Sequence, residues 1–261
     1  MSFFSNLFKS NSNTQASNNL MTNNKAGNTL NLSKEESIRT LNLRKNSLNT
    51  ICLKKKELND IVARVCVVMD FSGSMENLYD KGIVQALFER LLPLAIKFDD
   101  NGELESWIFS NSFARLESIT EDNFYGYVNR EIVNNYKMGG TEYSPVMKDV
   151  VKKYVVEEPS DVPTYVIFIT DGDNSDKTKT TKIMRESSKY NIFWQFVGIG
   201  NSDFEYLTKL DEMKSRYIDN ANFFKCNNIA TISDTELYDK LLHEFPDWIV
   251  EYKKFKNKGG I

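Results

Sequence analysis

The order of buried and amphipathic segments predicts an α/β chain with a doubly wound, mostly parallel central sheet and helices on both faces. Ala63 to Asp70, Pro163 to Thr170 and Ile192 to Ile199 are apolar runs without polar alternation, as strands covered on both faces require. Segments with helical spacing separate them, and parallel neighbours need such crossovers. A chain of 261 residues with 41% apolar content can fill the core of one such unit.

Taken in order, residues 1–33 read as a flexible leader. From Ser10 to Ser33 the only charge is Lys25 and eight residues are asparagine, too little apolar surface to offset the cost of ordering. Phe3, Phe4, Leu7 and Phe8 ahead of it read as a frayed terminus, with contact to a partner or a membrane surface as the alternative. Residues 34–60 are expected to form a helical lead-in, because Ser33 and Glu36 have capping-box spacing and Ile38, Leu41, Leu48 and Cys52 keep a helical rhythm. Lys54, Lys55 and Lys56 read as a solvated face.

Residues 61–255 form the main domain and 256–261 a tail. After the first buried strand, Val84, Leu87, Phe88 and Leu91 have i, i+3, i+4, i+7 spacing and predict a helix that Pro93 kinks. Asp99 to Gly102 is a turn and Leu104 to Ser110 a strand. An edge strand is expected at Arg115 to Ile119 and helices at Asn123 to Asn134 and Ser144 to Val156. Proline is tolerated at the start of the strand from Pro163. A helix from Thr178 to Tyr190, the strand Ile192 to Ile199, a helix at Phe204 to Met213, a strand at Asn222 to Cys226 and one terminal helix from Ser233 complete the set.

Composition excludes several chemistries. His243 is the sole histidine, so a multi-histidine zinc site is impossible; its place late in the terminal helix reads as structural. Cys52, Cys66 and Cys226 form no CxxC pair, which fits a reducing, cytoplasmic setting and disfavours redox chemistry. With 33 basic and 36 acidic residues the chain has no global positive field, so no nucleic-acid partner is expected. No segment has the roughly 20 apolar residues of a transmembrane helix.

Doubly wound sheets bind ligands beyond the carboxyl ends of their strands. There the first buried strand ends in Asp70-Phe71-Ser72-Gly73-Ser74, and the second in Thr170-Asp171-Gly172. Between them Gly139-Gly140-Thr141 adds a third hydroxyl. Singly, each has an ordinary reading as a cap or a turn. Together, Asp70, Ser72, Ser74, Thr141 and Asp171 are hard oxygen donors from three loops and suit magnesium, with manganese or calcium as alternatives. The run Asp171, Asp173, Asn174, Asp176 lacks the glycine and terminal glutamate of an EF-hand and reads as a solvated loop; Gly198-Ile199-Gly200 is a strand exit. Tyr143, beside Thr141, is expected to be a rim contact.

These five residues resemble the metal-ion-dependent adhesion site (MIDAS) of the von Willebrand factor A (vWA) domain, whose pattern is DxSxS, then Thr, then Asp. LYDKGIVQALFERLLPLAIKFDDNGELESWIFS and MGGTEYSPVM look more specifically like the TerF-type branch linked to tellurium resistance and related chemical stress, with copine-like domains more distant. The resemblance covers roughly residues 40 to 255. It implies a Rossmann-like fold and an ion held directly by Ser72, Ser74 and Thr141, with Asp70 and Asp171 acting largely through water. It further implies a protein partner whose Asp or Glu completes the ion, and a shift of a loop and the last helix on ligand entry. The competing readings are a magnesium-dependent phosphatase or phosphotransferase using Asp70 as nucleophile, and a scaffold with a silent metal site. Ser72 stands where a haloacid-dehalogenase-like enzyme would carry its second aspartate.

Overall fold

The computed structural model describes residues 32–99 and 101–260. The leader, apart from Leu32 and Ser33, and the Phe3 to Phe8 contact surface lie outside the described residues. Helix α1 (Lys34–Lys54) begins with the expected capping box: Ser33 accepts from the Glu36 amide, and the Glu36 side chain accepts from the Ser33 amide. Leu41, Leu48, Ile51 and Cys52 turn inward from it and join the main core.

The strands are β1 (Arg64–Asp70), β2 (Glu105–Phe109), β3 (Phe113–Arg115), β4 (Thr164–Thr170), β5 (Ile192–Ile199) and β6 (Ala221–Cys226). They form one six-stranded sheet in the order β3-β2-β1-β4-β5-β6, parallel except for β3. Along β1, Val65, Val67 and Met69 pack into one layer while Cys66 and Val68 pack into the other. Period-two geometry thus explains why the interior of a doubly covered strand, here Val65 to Met69, carries no polar positions. The strand order reverses between β1 and β4, which makes the gap beyond their carboxyl ends the switch point of the sheet.

The remaining helices are α2 (Glu76–Asp80), α3 (Ile83–Phe98), α4 (Ser144–Lys152), α5 (Lys177–Ser187), α6 (Glu205–Asp211), α7 (Asp234–Leu241) and α8 (Phe245–Asn257). Four expectations are corrected. The edge strand begins at Phe113 because the tight turn at Ser110 to Ser112 sets Phe113 opposite Phe109, leaving Ile119 only an isolated bridge to Leu104. The segment expected as a helix from Asn123 to Asn134 is helical only at Val128–Val133, with a wide turn. The terminal helix is two helices: Pro246 has no N–H for a carbonyl one turn back, so it sits in the first turn of a new helix. His243 falls in that break and is exposed rather than built into a helix.

At the far end of α6, burial chiefly, and then the nearby charges of Glu244 and Asp219, push the Asp211 carboxyl up to about 7. Its ordinary value is 3.8, so the folded state holds a proton that the unfolded chain releases between those two pH values. Stability from this group therefore falls as pH rises through that window. The Asp211→Asn variant is expected to melt above wild type at about pH 8 and to converge with it in acid. A thermal unfolding series across pH checks this, and parallel curves would refute it.

Candidate metal centre

The two carboxylates sit where their strands end. Asp70 closes β1 and is fully buried; its Oδ1 accepts from the Ser72 amide at 2.8 Å and its Oδ2 from the Thr170 hydroxyl at 2.6 Å. Tyr79 donates to its carbonyl at 2.9 Å. Burial pushes the Asp70 carboxyl up to about 6; hydrogen bonds from Thr170 and Ser72 pull the other way, and the nearby charge of Asp171 adds to the rise. None of these neighbours is a cation.

A chain of oxygens leads from there to Asp171. Ser72 Oγ lies 3.1 Å from Ser74 Oγ, and Ser74 donates to Asp171 Oδ1 at 2.7 Å. Thus Asp70, Ser72, Ser74 and Asp171 come together as the sequence predicts. Asp70 is the last residue of β1, Ser72 lies in the turn after it and Ser74 in the one-turn helix Gly73–Met75, while Asp171 directly follows β4.

The loop that carries Thr141 is joined to its neighbours through the backbone. Gly139 forms a parallel bridge to Ser72, accepting from the Gly73 amide at 3.0 Å, and the Thr141 carbonyl accepts from the Ser175 amide at 3.0 Å. The glycines let the loop pass close to Asn111: a Cβ on Gly139 or Gly140 would stand 2.8 Å from its terminal amide and push that side chain aside. The five residues offer two carboxylates and three hydroxyls, all oxygen. Among the described residues no group of three or more His, Cys, Asp and Glu gathers as a cage.

Tyr143 is not a rim contact. It is fully buried, and its hydroxyl bonds to the Gly172 carbonyl and, at 3.2 Å, to Thr170 Oγ1, tying the start of α4 to the end of β4. The loop after Asp171 is likewise less solvated than expected. Asn174 is buried, and Asp176 accepts from the Tyr143 and Ser144 amides at 3.0 and 2.8 Å. Burial raises the Asp176 carboxyl, but donors from Ser144, Asn174 and Tyr143 outweigh it and hold the group below its usual range. Thr170, Tyr143, Asn111 and Asp176 were therefore missed as parts of the site's support. Asp176 alone carried a signal, being an aspartate directly before a helical stretch.

A cleft of about 360 Å³ lined by Tyr154, Tyr190, Asn191 and Tyr252 lies at the amino ends of β4 and β5, away from these donors. No helix among the described residues is long and apolar enough to cross a membrane.

The model of a vWA domain found at the TerF C terminus matches residues 62–258. YcbR of Bacillus subtilis (strain 168) is 50% identical over 197 residues, 74% of this chain and 80% of that one. Proximal thread matrix protein 1 from the mussel byssus superposes with a TM-score of 0.53 at 18% identity, covering 69% of this chain and 47% of that one. A structure of it with a zinc-occupied MIDAS motif gives a TM-score of 0.51 at 20% identity, over 70% and 48% of the two chains. The SpRpn10 VWA domain gives 0.50 at 12% identity, over 71% of this chain and 97% of that one. The chain spans about half the length of the byssus protein, and at these identities the structures establish the fold alone. Fold, sheet order and family match agree that the chain belongs to the von Willebrand factor A family, in the branch whose domain is found in the TerF C terminus.

Proposed function

We propose that the chain is a cation-dependent protein-interaction module of the cytoplasm, serving a tellurium-resistance or chemical-stress system. Ser72, Ser74, Thr141, Asp70 and Asp171 would hold a magnesium-type ion, manganese and calcium being alternatives. One observation carries the reading: a fully buried Asp70 and an unbroken Ser72, Ser74, Asp171 oxygen chain converge beside the Thr141 loop at the switch point, and none of the groups acting on Asp70 is a cation. A buried carboxylate is costly unless a positive charge meets it. The residues fit such an ion, because hard oxygens without His or Cys suit magnesium or manganese. The zinc-occupied site of the byssus protein adds support for a divalent ion at this position of the fold.

When bound, the ion supplies a Lewis-acidic position for an anionic oxygen. Three of the five donors are neutral hydroxyls, so much of the positive charge stays uncompensated and favours a partner's Asp or Glu. Asp70 orients the Ser72 turn through its amide bond, and Asp171 fixes Ser74. The phosphatase alternative draws less support, since Ser72 stands where such an enzyme would carry the second aspartate that acts as its general acid.

Magnesium titration by calorimetry is expected to show binding in the wild type and a loss of about tenfold or more for Ser72→Ala or Ser74→Ala. Capture of an acidic protein partner should then vanish in EDTA. Equal affinities, or capture indifferent to EDTA, would sink the proposal.

A further inference from the structure

Thr141 is the one proposed donor that lies neither at a strand end nor in the turn that follows it. Its loop contains two consecutive glycines, so local propensity does little to fix the hydroxyl. Contacts from other loops hold the backbone instead: Ser175 donates from its amide and its hydroxyl to the Thr141 carbonyl, at 3.0 and 3.2 Å, and two further side chains act on the flanking residues. On one side, Asn111 in the β2–β3 turn accepts from the Gly140 amide at 2.5 Å. On the other, Asp176 takes the amides of Tyr143 and Ser144, the first turn of α4, on its two carboxylate oxygens.

The orientation of Asp176 is unusual. It occupies the N-cap position of α5, where an aspartate ordinarily accepts from the first backbone amides of its own helix, yet it makes no such bond. Its side chain turns across to α4 instead. Asn174 donates to it at 2.5 Å and Thr180 at 3.2 Å, so the carboxylate is itself held from behind. The Asp171 loop is thereby coupled to the Thr141 loop through a group distinct from the five proposed donors.

From this geometry we infer that Asp176 is a positioning residue for the ion, with Asn111 as its counterpart: the two clamp the Thr141 loop against the Asp70 turn and set cation affinity without touching the cation. The inference rests on the metal reading above and deepens it. Groups that orient metal ligands commonly cost about 10–100-fold in affinity when removed.

The test uses the full chain, magnesium titration by calorimetry, and hydrogen exchange in metal-free protein. Asp176→Ala is expected to bind magnesium about 10–100-fold more weakly than wild type, and Asp176→Asn, which keeps one acceptor oxygen, to recover part of the loss. Combined with Thr141→Ala, it should add little, because it acts through Thr141. In metal-free protein the Tyr143 and Ser144 amides should exchange faster in Asp176→Ala while the amides of the Asp70 turn stay unchanged. Should Asp176→Ala fail to fold, Asn111→Ala releases the opposite side of the loop and is expected to weaken magnesium binding in the same direction. Wild-type affinity in both alanine variants, or a loss fully additive with Thr141→Ala, overturns the inference. Absence of magnesium binding in the wild type overturns the metal reading itself and the clamp's role toward an ion, and the exchange data then report separately whether the loop was clamped.

Discussion

Asp70→Asn is expected to raise the melting temperature of the metal-free protein at about pH 8 while abolishing its response to magnesium. The folded protein buries this carboxylate beside Thr170, Ser72 and Asp171 and holds it at about 6 against an ordinary 3.8, a gap corresponding to about 3 kcal/mol of destabilisation at neutral pH. An amide of the same shape keeps the acceptor for the Ser72 amide, and Thr170 has a second acceptor in the Gly172 carbonyl. At about 2–4 °C per kcal/mol in a domain of this size, relief of even part of that burden is measurable. A ligand at about 100 times its Kd adds about 2.7 kcal/mol to wild type and nothing to a variant that does not bind it. Thermal melts with and without magnesium decide the matter. A variant that responds to the ion as wild type does would show that Asp70 holds none.

Breaking the ion pair beneath α1 should have the largest effect on stability. Arg44 on α1 meets Glu89 on α3 at 3.0 Å with both side chains almost fully buried. Glu89 also accepts from Gln85 at 3.0 Å, and Arg90 alongside pairs with Asp234 on α7 at 2.6 Å. Glu89→Ala leaves the buried Arg44 guanidinium only its longer pairing with Asp234, at 3.9 Å, so a loss of about 3 kcal/mol is expected in urea unfolding. The double variant Arg44→Met/Glu89→Ala should recover most of it, since the cost lies in the uncompensated charge. A loss below about 1 kcal/mol, typical of an exposed pair, would mean that α1 is only loosely applied to the domain.

Much of this was legible in one dimension because it is written in local patterns. The runs at β1, β4 and β5 are dominated by apolar residues with no polar alternation, and the Ser33 and Glu36 capping box needs only three-residue spacing. The spacing of Asp70, Ser72 and Ser74 within a single turn is equally local. By contrast, Tyr143 stands next to a proposed donor, and nothing in its sequence neighbourhood says that the Gly172 carbonyl, on another strand's exit, will draw its hydroxyl inward. Asp176 looked like one more polar residue of an acidic loop, because its two partners lie on a helix more than thirty positions earlier. The break at His243 depended on Pro246, whose effect on a helix start is local but whose outcome depends on how Phe245 and Trp248 pack beneath the sheet.

By itself, the sequence determined the strand and helix alternation and the placing of the Asp70 and Asp171 turns at strand exits, because hydrophobic period and turn chemistry act over a few residues. Only the tertiary structure decided how the Thr141 loop meets the Asp70 turn, which polar side chains hold it there, and that α1 is sealed to the domain by a buried charge pair. Those contacts join residues far apart in the chain, and their partners are chosen by packing, which no local pattern encodes.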